Sequence, residues 1–110
     1  MKRIEAIIRP TRAGKVCAAL GKIGHPGPGI SQIEDRSQSD TGYLLRGATY
    51  RVDYATKSRI EVIAEDAETG MIVDAIREAA FTGVPGDGEI FVYAMEDAVC
   101  IRSGGREAAI

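Results

Sequence analysis

The stretch TGVPGDGEIF, Thr82 to Phe91, sets three glycines, Gly83, Gly86 and Gly88, and one carboxylate, Asp87, directly ahead of an apolar run. Glycines at this density allow positive φ and close backbone approach, so successive N–H groups can converge on an anion such as a phosphate. The competing reading is a tight helix-to-strand turn in which Asp87 bonds to its own backbone. Glu89 follows at once, a negative charge where phosphate recognition calls for a positive one.

Other chemistries are poorly supplied. Cys17 and Cys100 share no CxxC or Cys/His spacing, and the single histidine, His25, lies in a Gly/Pro turn. Metal binding is therefore not expected, and both cysteines are expected to be free thiols in a reducing compartment. No nucleophile is paired with a base, so the chain does not read as an enzyme. The 14 basic and 16 acidic residues give a net charge of −2, and the basic ones are dispersed rather than clustered. That argues against nucleic acid as a partner. No apolar run approaches the roughly 20 residues needed to span a bilayer, so no membrane insertion is expected and the cytoplasm is the expected location.

The elements that must position the glycine-rich loop follow from periodicity. Arg3 to Arg9 alternates, with Ile4, Ala6 and Ile8 on one face, and stops at Pro10, as a strand does. Thr11 then offers a cap for a helix carrying Val16, Ala19, Leu20 and Ile23, which breaks at Gly24 and the turn HPGPG. Ile30 to Asp35 reads as a short strand, and Arg36 to Tyr54 as a long exposed loop or a hairpin standing off the domain. Ser58 to Ala64 supplies the next strand, Asp66 caps a helix striped by Ile72, Val73, Ile76 and Ala80, and Ile90 to Ala94 is the last strand. The order βαββαβ is an α+β, ferredoxin-like split βαβ plan, one domain over residues 1–110, with both helices on one sheet face. The other face is left open, which favours self-association.

With the long loop before the third strand and TGxxGDG before the fourth, the chain resembles the PII signal-transduction family over nearly its whole length. MKRIEAIIRP is similar to the family's opening strand, RGATY to the tip of its T-loop, TGVPGDGEIF to its B-loop and CIRSG to its C-loop. The resemblance implies a cytosolic homotrimer that binds adenine nucleotide between neighbouring subunits. It assigns Gly86, Asp87 and Gly88 to the phosphates, with Lys57 and Arg102 as cations, although surface charge alone would also explain the last two. Ile7 and Ile63 would pack on adenine, and Gly27, Pro28 and Gly29 would approach base and ribose. Gln38 corresponds to the glutamine that helps hold Mg-ATP with 2-oxoglutarate. Tyr50 corresponds to the tyrosine that some members have uridylylated, or is an exposed loop aromatic.

The pattern breaks where the family carries a cation after GDG and an Arg-x-Arg C-loop: those positions are Glu89 and Cys100. The glycine-rich approach to Gln38 is replaced by IEDRSQ, one residue shorter, and Leu44 and Leu45 make the loop tip more apolar. Loss of two phosphate cations predicts that ADP or AMP is favoured over ATP. The expected function is a regulator whose T-loop docks on a membrane transporter or a metabolic enzyme. Divergent PII-like proteins suggest inorganic-carbon uptake, with bicarbonate as a second ligand. The alternative is a conventional nitrogen regulator that binds ATP and 2-oxoglutarate and is uridylylated at Tyr50.

Overall fold

The computed structural model describes residues 1–35, 42–45, 48–51 and 55–106. β1 (Lys2–Ile8) and β5 (Ala55–Ala64) are the two central strands of a four-stranded antiparallel sheet, flanked by β2 (Gly29–Asp35) and β6 (Gly88–Ala94) in the order β2-β5-β1-β6. The alternation in β1 and β5 has the expected consequence. Ile4, Ala6, Ile8, Ile60, Val62 and Ala64 face inward beneath α1 (Ala13–Lys22) and α2 (Asp66–Ala80). Val16 and Leu20 of α1 and Ile72, Ile76 and Ala80 of α2 close the same core. Each fully buried Ile or Leu contributes about 1.5–3 kcal/mol by transfer from water.

The helix starts differ from expectation. Thr11 does not cap α1; Pro10–Arg12 form a 3-10 turn that leads into the helix through Arg12, with no side-chain cap. Proline's fixed φ suits this tight entry. Asp66 is likewise not the cap of α2. Glu65 holds that position, while Asp66 lies inside the first turn and meets the Met1 ammonium at 2.6 Å. That ammonium lowers the Asp66 pKa, chiefly through the hydrogen bond.

The strands β2, β5 and β6 begin earlier than the sequence suggests, at Gly29, Ala55 and Gly88. Within the long loop, β3 (Gly42–Leu45) and β4 (Ala48–Arg51) pair as a hairpin, Tyr43 opposite Tyr50. The open sheet face carries a polar cluster. Strand alternation puts Arg3, Glu5, Ile7, Arg59, Glu61 and Ile63 there, and Arg3 bonds Glu5 at 3.2 Å and Glu61 at 3.1 Å while lying over the Tyr93 ring. Arg59 Nε is buried on this face with no partner among the described residues. No described helix is long and apolar enough to cross a membrane.

Candidate functional site

The glycine-rich loop is tied together by its own side chains. Asp87 Oδ2 accepts from the backbone N–H groups of Thr82 at 2.8 Å and Gly83 at 3.0 Å. Its Oδ1 accepts from the Thr82 hydroxyl, and from Arg9 Nε at 3.1 Å. These donors, the Thr82 hydroxyl foremost, hold the Asp87 carboxyl far below the usual carboxylate range. Arg9 also donates through Nη2 to Pro85 O at 2.8 Å and Val84 O at 3.4 Å, and the Val84 N–H is taken by Thr82 Oγ1 at 3.2 Å. The loop thus consumes the N–H groups of residues 82, 83 and 84 internally. Among the described residues, Asp87 closes the turn over Pro85 and Gly86, while the Gly86 N–H has no intramolecular acceptor, which leaves one backbone donor for an anion.

Gly88 is required where the loop enters β6. Its φ is +111°, and a Cβ there would sit 1.7 Å from Ile7 O. Lys57, expected as a phosphate cation or a surface charge, is only 5% exposed, and its Nζ donates to Gly86 O at 2.6 Å. Beside it, Arg59, Ile7 and Glu89 form one cross-strand row on the open face. Glu89 is exposed and has no ion pair among the described residues.

Gly27, Pro28, Gly29 and Ile63 lie elsewhere, together in a cleft of about 390 Å³ between the turn after α1, the end of β5 and the start of α2. That turn is well specified. Gly24, at φ +90°, allows its own N–H to bond Gly21 O and the His25 N–H to bond Leu20 O at 2.9 Å, the Schellman pattern of helix termination. Past β6, a small loop closes through Cys100 N–H to Gly105 O and Gly104 N–H to Cys100 O, both 2.8 Å, with Arg102 exposed at its tip. The Ser103 hydroxyl, aided by the backbone N–H groups of Ser103 and Arg102, lowers the Cys100 thiol pKa. Among the described residues, no group of three or more His, Cys, Asp or Glu is placed to hold a metal.

A family profile described as "Nitrogen regulatory protein P-II" matches residues 1–105. The chain is 45% identical over 108 residues to the nitrogen regulatory protein P-II of Rhodospirillum rubrum, covering 96% of each chain. It is 42% identical over 106 residues to that of Azospirillum brasilense, covering 94% of each. Among solved structures it superposes on Arabidopsis thaliana PII bound to citrate with a TM-score of 0.79 and 30% identity, covering 97% of this chain and 88% of the other. The chain belongs to the PII family. It is therefore a signal-transduction protein, not an enzyme.

In this PII protein the site residues named from the sequence fall into two groups at opposite ends of the sheet. Ile7, Lys57, Gly86, Asp87, Gly88 and Glu89 gather where Ile8 pairs with Gly88. Gly27, Pro28, Gly29 and Ile63 gather at the other end, where Lys2 pairs with Ala64, and the loop bearing Arg102 leaves β6 from that end. At about 3.3 Å per residue, β1 separates the two groups by about 20 Å. Gln38 lies outside the described residues. Tyr50 is in β4, where only the backbone is described. Sequence reasoning missed Arg9, His25 and Glu68 as organising side chains. Arg9 closes its strand without any period to mark it, and the bond between His25 and Glu68 spans 43 positions.

Proposed function

We propose that this protein is a homotrimeric PII sensor of adenine nucleotide that holds ADP or AMP more tightly than ATP and signals through its T-loop to a membrane transporter or metabolic enzyme. PII proteins are trimeric regulators of target proteins. The observation that carries the reading is the separation of the two half-sites. A heterologous contact that repeats head to tail brings the glycine-rich loop of one subunit to the Gly27–Gly29 cleft and Arg102 of the next, and closes after three copies. The Gly86 N–H and the backbone of the loop around it would then face phosphate, and the cleft would take base and ribose. The citrate bound by the Arabidopsis protein supports an anion-accepting site.

The relatives named as nitrogen regulators favour nitrogen control over inorganic-carbon uptake as the pathway. In that reading 2-oxoglutarate, rather than bicarbonate, is the second ligand, and Tyr50 on the hairpin is a modification site. Calorimetric titration with AMP, ADP and ATP, each with and without 2-oxoglutarate or bicarbonate, tests ligand and pathway together. Absence of nucleotide binding would leave a purely structural assembly. Sedimentation tests the oligomer, for which a stable monomer at micromolar concentration would be the contrary result.

A further inference from the structure

The cleft lined by Gly27–Gly29 carries a contact that the nucleotide reading does not use. His25 Nε2 is hydrogen-bonded to Glu68 Oε2 across its side. The backbone of His25 is fixed to the end of α1 through Leu20 O, and its imidazole is fixed to the first turn of α2. His25 therefore spans two elements, and the turn that follows it forms one wall of the cleft. Gly27 sits at φ +72°, a conformation that favours glycine, and the turn joins β2 where Gly29 pairs with Glu61.

We propose that His25 and Glu68 form a proton-dependent strut that positions the Gly27–Gly29 turn for the nucleoside end of the ligand. The proposal rests on the nucleotide reading above and adds its regulation. With imidazolium against carboxylate the bond is charge-assisted and strong; with neutral imidazole the ion pair is lost and an ordinary hydrogen bond remains. Affinity should accordingly be higher with the charged pair than with the neutral imidazole. The other charged groups around the cleft are poorly placed to take over this response. Glu61 of β5 is engaged by Arg3 at 3.1 Å, and Asp66 by the Met1 ammonium at 2.6 Å. Glu65 stands beside Glu68 at the start of α2, and Lys22 lies in the last turn of α1.

The test is ADP affinity measured at about pH 6 and about pH 8 for wild type, His25→Gln, Glu68→Gln and the double variant. At the lower pH each single change should weaken ADP by about threefold to tenfold, and the double variant should bind no worse than the weaker single. The ratio of wild-type to His25→Gln affinity should shrink at the higher pH, which also removes the nucleotide's own titration from the comparison. Amide exchange at Gly27 and Gly29 should quicken in both single variants. Variants that match wild type in affinity, pH profile and exchange would overturn the strut while leaving the nucleotide site standing. Failure of wild type to bind ADP, AMP or ATP would overturn both.

Discussion

The Lys57 ammonium donates to the Gly86 carbonyl at 2.6 Å from a nearly buried position, so this cation is already part of the loop before any ligand arrives. Arg102, exposed on its own loop, has no such structural duty. Lys57→Ala and Arg102→Ala should each weaken nucleotide binding by roughly 1.5–3 kcal/mol, the range for lost charge-assisted contacts. Only Lys57→Ala should also lower the melting temperature, because it leaves the Gly86 carbonyl without its partner. Calorimetry and thermal melts on the same samples separate the two roles. Unchanged affinity in both variants would remove the proposed phosphate site.

Gly88 sets a steric test. A Cβ there would meet Ile7 O at 1.7 Å with φ at +111°, so Gly88→Ala must shift β6 off β1 or abandon the loop geometry. The expected loss is at least about 3 kcal/mol of stability. Gly14→Ala in α1 is the control, since nothing lies within 4 Å of its Cβ position. It should gain up to about 1 kcal/mol through helix propensity. Denaturant midpoints report both.

Asp87 gives a pH prediction whose sign is fixed by the direction of its shift. Its pKa is depressed by the Thr82 hydroxyl and N–H, with Arg9 and the Gly83 N–H adding to the effect. The stabilisation is therefore complete above the ordinary carboxylate range and is lost progressively as pH falls through that range toward the depressed native value. Amide resonances of Thr82 and Gly83 should stay flat between about pH 3 and pH 5, where an ordinary aspartate titrates. Asp87→Ala should free the loop's N–H groups and weaken ADP by on the order of tenfold. A Thr82 resonance that moves near pH 4 would contradict the assignment.

Much of the fold was legible because period-2 alternation in Ile4-Ala6-Ile8 and the helical stripe of Ile72, Ile76 and Ala80 each specify a buried face on their own. The helix starts were less legible. Thr11 and Asp66 are good caps in isolation, but Pro10 imposes a 3-10 turn and the Met1 ammonium claims Asp66. Strand order showed that one face is left open, but not that its centre is the Arg3, Glu5 and Glu61 cluster, whose ion pairs join separate strands. At the candidate site, the glycines of the loop all adopt positive φ as their density suggested. What the sequence could not show is that Arg9 and Lys57 hold the loop from distant positions, since such pairs have no local period.

Glu89 and Cys100 carry the sharpest prediction about ligand choice. Glu89 stands exposed at the loop end of β6, and Cys100 follows β6 at the opposite end, so the two can address one ligand only across a subunit boundary. At those positions the family places cations, and a carboxylate and a thiol penalise each added phosphate charge. In magnesium-free buffer, affinity should therefore run with ADP or AMP equal to or better than ATP; Mg²⁺ masks part of the penalty by neutralising phosphate. Glu89→Lys combined with Cys100→Arg should shift preference toward ATP by more than either change alone, since in the proposed site both cations would address the same outer phosphate. Mixed trimers carrying the two changes on separate subunits should recover part of that gain, which changes confined within one subunit's own ends cannot explain. If wild type binds ATP clearly more tightly than ADP without magnesium, and the double variant leaves that ratio unchanged, Glu89 points to solvent and the buried Lys57 ammonium, with Arg9 beside it, supplies the positive field instead.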